Sequence, residues 1–178
     1  MLNPAVVQVL HEFWPMFVNS RSLCVYLAED LLGEEGFAPG NFYKETTPYS
    51  YVKLRAPLSL DVRTAHNRIG SWTNENCLIR LWAILESHGF TKPIRDAQGC
   101  EAVGLLKRLR QHFAHGTGLY DKHKPNHRRL RSDLLKMFTV PGDSEEIPTN
   151  IDCVLRPMFE RCNEYVEDVL KGEHSGDG

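Results

Sequence analysis

The stretch Gly99–Gly116, GCEAVGLLKRLRQHFAHG, carries the pattern on which the fold turns. Ala102, Leu105, Leu106, Leu109 and Phe113 recur at helical spacing, so one face of a helix over Gly99–His115 is expected to be buried. Its other face is polar and basic. Gly116 suits the left-handed position that commonly ends a helix, which puts His115 in the last turn.

Working outward, the same periodicity repeats along the chain. Asn3-Pro4 reads as an N-cap followed by proline at the first helical position, opening a helix with Val6, Val9, Leu10, Phe13, Trp14 and Phe17 on its apolar side. Pro15 is expected to kink or break it, because proline removes a backbone donor and crowds the preceding turn. Leu23, Tyr26, Leu27 and Leu31 continue the spacing to Gly33. Leu58–Ile69 reads as helical, and Gly70-Ser71 separates it from a strong helix over Trp72–His88. There Cys77, Leu78, Leu81, Trp82 and Leu85 form a wide stripe that stops at His88-Gly89. Further helices are expected over Asn126–Phe138 and Pro148–Lys171.

Residues 33–57 differ, being punctuated by Gly33, Gly36, Pro39, Gly40, Pro48 and Pro57. They read as an irregular loop insertion whose Phe37, Phe42 and Tyr43 cover the core. YSYVKL alternates like a short strand, which is marginal unless it finds a partner. The expected fold class is therefore all-α: a helical bundle in one domain over residues 1–171, with 172–178 as a flexible tail.

The 178 residues suit one domain with a sizeable core, and no apolar run is long enough to span a membrane. No secretory leader is evident. Five cysteines (Cys24, Cys77, Cys100, Cys153, Cys162) are odd in number and contain no CxxC pair. They suggest neither a disulfide framework nor a cysteine zinc site, and a reducing cytoplasm is the natural setting.

The net charge of −2 hides an asymmetry. From Lys107 to Lys136 nine Lys and Arg face two acids, Asp121 and Asp133, a local +7 on a chain that is otherwise −9. His112, His115, His123 and His127 share the window. A basic stripe on an acidic body points to an anionic partner, although such runs are as often solvated faces. Four histidines in HxxH and HxxxH spacing also suggest a zinc site. An all-His set threaded through Arg and Lys repels a dication, however, and no metal or cofactor is expected. His123 and His127 read better as part of a solvated basic loop, KHKPNHRRLR.

Arg110 and His115 hold the most chemistry. The helix C-terminus favours an imidazolium, while the charges of Arg108 and Arg110 oppose one. Arg110 offers a permanently charged fork suited to phosphate oxygens. A proton carrier beside a fixed cation is what metal-free RNA strand cleavage requires. With 13 Arg and 8 His in the chain, an Arg-x4-His spacing arises by chance about as often as not, so helix terminus and charge window carry the weight.

On RQHFAHG, Arg110–Gly116, the chain resembles the Arg-x4–6-His signature of the HEPN superfamily, with Gln111 in the polar slot after the Arg. The resemblance implies a HEPN-like bundle and a metal-independent endoribonuclease. Its composite site would form where two protomers of a homodimer meet. Arg110 and His115 would then be catalytic, Gln111 would assist, and the product would end in a 2′,3′-cyclic phosphate. Arg108, with six residues between it and His115, competes for the role of catalytic Arg. Thr117 stands where some toxin members carry a Tyr, so regulation through that Tyr does not transfer. The family adds a toxin or antiviral-defence role, with an antitoxin or other defence-system partner. RNA contacts are expected at Arg108, His112, Lys122, Lys124, Arg128, Arg129 and Arg131. The alternatives are a non-catalytic HEPN-like module docking nucleic acid or an acidic protein, and a DNA-binding regulator using the Asn126–Phe138 helix. TGLYDKHKPN is too long a connector for a tight helix-turn-helix.

Overall fold

Asn3 starts the first helix as its side chain dictates. Its Oδ1 accepts from the Ala5 N–H at 3.0 Å, while Pro4 fills the position that needs no donor. In the computed structural model, which describes residues 2–22, 43–47, 50–53, 59–92, 94–115, 120–140 and 146–175, helix α1 then runs over Val6–Ser22. Pro15 lies inside it and does not break it. The apolar stretch at Leu23–Leu31, the loop residues Phe37 and Phe42 and the Gly116 cap lie outside the described residues.

Part of the insertion expected to be irregular is a hairpin. Strand β1, Tyr43–Thr47, pairs antiparallel with β2, Ser50–Lys53, in the register Tyr43 to Lys53 and Thr47 to Ser50, with an irregularity between Glu45 and Thr47. The Thr, Tyr and Val content suits a pleated strand, and pairing supplies what a lone strand lacks.

Helix α2 is one unbroken run, Leu60–Ser87, rather than two helices parted at Gly70-Ser71. A mid-helix glycine costs up to about 1 kcal/mol relative to alanine but does not by itself end a helix. Gly70 keeps a negative φ, since Gly89 and Gly99 are the positive-φ glycines among the described residues. It lies against Arg21, where an added Cβ would come 2.7 Å from Nη2. The expected end at His88-Gly89 is present. Gly89 takes φ 87°, its N–H bonds to Glu86 O, and Phe90 N–H reaches Leu85 O at 2.8 Å, the paired bonds of a Schellman motif.

Helix α3 spans Cys100–His115, α4 spans Pro125–Met137 and α5 spans Arg156–Ser175. Helix α5 thus extends past Lys171, where a frayed tail was expected. A π-helical turn, Ile151–Leu155, precedes it. Asn150 O accepts from both Val154 and Leu155, and Pro157 has no N–H to continue an ordinary ladder at that point.

Contacts divide the chain into two compact units, residues 1–14 with 74–178, and residues 15–73. In the first, α3 packs on α4 and α5. Its core holds Leu10, Leu78, Leu81, Leu85, Leu105, Leu106, Leu109, Leu134, Leu155, Met158, Cys162 and Val166. These follow the stripes the spacing predicts, although Val9, Phe13, Trp14, Phe113, Ile151 and Phe159 are only half-buried. Tyr165 is buried and ties Lys92 and Ile94 to α5: its hydroxyl donates to Lys92 O at 2.9 Å and accepts from Ile94 N–H at 3.3 Å. Burial pushes that phenol's pKa up. Asn74 donates from Nδ2 to Thr149 O at 2.8 Å. Among the described residues the fold is all-α in class, with five α-helices and the one short hairpin. No described helix is long and apolar enough to cross a membrane.

The four described cysteines are free thiols. Cys77 and Cys162 are buried, and burial raises both, Cys77 to about 12, so neither forms thiolate near neutral pH. Native protein treated with a thiol reagent should therefore label at Cys100 and Cys153, which are half-buried, well before Cys77 and Cys162. Those two should label only once denaturant is added, and site-resolved mass spectrometry reads the order. Early labelling of Cys162 would mean that the α5 face is not packed as described.

A candidate phosphodiester site at the end of α3

Helix α3 follows directly on Gly99, whose carbonyl accepts from Ala102 and Val103. Its buried face then fixes the rotation of every polar side chain that follows. With Leu105, Leu106 and Leu109 fully buried, Arg108 and Arg110 leave the axis about 160° apart. That geometry separates two guanidinium groups that are nearly adjacent in sequence.

Arg110 Nη1 lies 2.9 Å from His115 Nε2, on the exposed end of the helix. A guanidinium donates and never accepts, so in this contact Nε2 is the acceptor and the imidazole is neutral with its proton on Nδ1. Arg108 turns to the neighbouring helix instead, and its Nη1 donates to Asp133 Oδ2 at 2.6 Å. That hydrogen bond, helped by the charges of Lys136 and Arg129, holds the Asp133 carboxyl below its usual range against partial desolvation. Of the two Arg candidates, Arg110 is the one paired with His115.

The remaining expected contacts divide between two sides of α4. Arg108, Gln111 and His112 from α3 face Asn126, His127, Arg129, Leu130 and Asp133 from α4 across a cleft of about 600 Å³. Arg128 and Arg131 line a shallower depression with Tyr120 and Lys136. Lys122 and Lys124 are exposed on the α3–α4 connection. Gln111 is placed on the cleft, not bonded to His115.

His127 is not part of a solvated loop. Pro125 opens α4 earlier than Asn126, so His127 belongs to the first helical turn and is half-buried. Its Nδ1 accepts from the Asp121 N–H at 3.0 Å, and its ring meets His112 edge-on at 4.6 Å, with Tyr120 at 6.2 Å. Asp121 shapes the turn before it: Oδ1 accepts from His123 N–H and the carbonyl from Lys124 N–H. His127, Asn126 and Asp133 were missed as lining residues, because the spacing HxxxH placed His127 relative to His123 rather than to His112 across a helix interface. The helix-opening Pro125 was the available signal. Among the described residues, no three His, Cys, Asp or Glu side chains converge as a metal-binding group.

Comparison with protein-family models, with curated proteins and with solved structures finds no match.

Proposed function

We propose that the chain is a metal-independent endoribonuclease of HEPN type that works as a homodimer, with Arg110 and His115 as its catalytic pair. The observation that carries this reading is the 2.9 Å contact of Arg110 with His115 at an exposed helix end inside the basic window. In strand cleavage the RNA 2′-oxygen bonds to phosphorus, the P–O5′ bond breaks, and a proton must leave the 2′-hydroxyl while another reaches the 5′-oxygen. Arg110 supplies fixed positive charge for the oxygens of the pentacoordinate transition state. His115 Nε2 takes or gives the proton.

The resting contact couples these roles. While Arg110 donates to Nε2, the basic lone pair of His115 is occupied. A phosphate that draws the guanidinium away frees it. One Arg-x4-His motif offers one imidazole for two proton transfers, which fits a site composed from two protomers. A toxin or antiviral-defence role with an antitoxin-like partner, in the cytoplasm, belongs to the same reading.

Purified protein incubated with several RNAs in excess EDTA should yield fragments ending in 2′,3′-cyclic phosphate. Binding of all of them without cleavage would instead favour the non-catalytic module. Tight duplex-DNA binding with a steep salt dependence would favour a DNA-binding regulator.

A further inference from the structure

The α3–α4 cleft gathers polar side chains beyond the Arg110–His115 pair. Arg108 and Arg129 against Asp133 leave it at net +1 with neutral histidines. Arg108 is engaged by Asp133, whereas Arg129 stays 3.9 Å from that carboxylate, beyond hydrogen-bond reach, with 82% of its side chain exposed. Its guanidinium donors are therefore available to an anion. The two imidazoles beside it are held edge-to-face, and the Asp121 N–H contact fixes His127 with its proton on Nε2. So His127 donates from Nε2 without having to become charged. Gln111 and Asn126 bring primary amides, each presenting donor and acceptor together, the pairing that base edges match. A volume of about 600 Å³ lies in the range of small-ligand pockets and exceeds what an inorganic anion fills.

We propose that this cleft is a nucleotide subsite: it takes one nucleotide of single-stranded RNA, the phosphate on Arg129 and the base against the His112–His127 pair with Gln111 and Asn126 at its edge. The choice of RNA as the source rests on the function proposed above, but nucleotide binding by the cleft does not depend on cleavage. His112 and Gln111 stand on the same helix as Arg110 and His115, so a nucleotide seated here would position the strand along α3.

Titration of the full chain with adenosine monophosphate, followed by NMR and calorimetry, tests it, with inorganic phosphate as the comparison ligand. Adenosine monophosphate should bind at least tenfold more tightly than phosphate and shift the ring resonances of His112 and His127. His127→Ala should weaken it about tenfold, in line with the loss of one base-stacking contact. Arg129→Gln, at an exposed position, should weaken both ligands and flatten the salt dependence without disturbing the fold. Adenosine monophosphate that binds no better than phosphate, shifts confined to the Arg128–Arg131 side of α4, or indifference to both substitutions would each overturn the subsite. The catalytic reading fails separately, when RNA cleavage survives loss of Arg110 and His115 whatever the nucleotide does.

Discussion

Arg110→Ala and His115→Ala should each lower the rate of RNA cleavage by at least about 100-fold while leaving the fold intact. Removing a positioned general acid or base costs roughly 10²–10⁴ in rate, and removing a charge-stabilising donor costs about 10²–10³. Both side chains sit at the outer end of α3, away from Leu105, Leu106 and Leu109. Their loss should therefore change stability by no more than about 0.5 kcal/mol, read by thermal melting. Because the two groups touch at 2.9 Å and act on one phosphate, the double variant should be scarcely worse than either single one. Arg108→Ala is the informative contrast. It frees Asp133 from its partner, so its effect should fall on KM rather than on kcat. If Arg108→Ala damaged kcat as deeply as Arg110→Ala, the assignment of the catalytic Arg would reverse. If cleavage in EDTA were undiminished in both the Arg110 and His115 variants, no site at this helix end would remain.

Gly99→Ala carries the largest expected loss of stability. Gly99 adopts φ +76°, and a Cβ there would overlap the Arg161 carbonyl oxygen and press within 3.2 Å of Tyr165 Cβ. Neither obstacle is the yielding end of a long side chain. An alanine in the left-handed region costs about 1–2 kcal/mol, and forced overpacking adds about 1–3 kcal/mol. A loss on the order of 2–5 kcal/mol is a large share of the roughly 5–15 kcal/mol by which domains are stable. Gly104→Ala, in the same helix with nothing within 4 Å of the added Cβ, should be neutral or stabilising by up to about 1 kcal/mol. Urea denaturation of the pair reads the difference. Equal midpoints would show that the start of α3 does not rest on α5 at Arg161.

The helices were legible because burial writes a period into the sequence. Cys77, Leu78, Leu81, Trp82 and Leu85 are all buried, and Gly89 ends its helix where the spacing stops. What the sequence did not reveal depends on partners far along the chain. Nothing local to Gly70 says that Arg21 will lie against it, and nothing local to Ser50–Lys53 says that Tyr43–Thr47 will pair with it. The candidate site divides in the same way. Helical angles separate Arg108 from Arg110, but only the arrival of Asp133, 25 residues later, shows which one is diverted. His127 changes from a loop residue to a cleft wall for the same reason, through contacts with Asp121 and His112.

The course of α2 bears on how the protein can be dissected. Contacts part the chain between Thr73 and Asn74, yet Leu60–Ser87 is a single helix across that point. A fragment begun at Asn74 would expose backbone N–H groups that the preceding turn now satisfies. It would also forfeit the N-terminal segment through Trp14, whose ring stacks on Phe159 at 4.9 Å. Limited proteolysis should accordingly spare residues 70–77, since a protease needs an extended backbone and this one is helical.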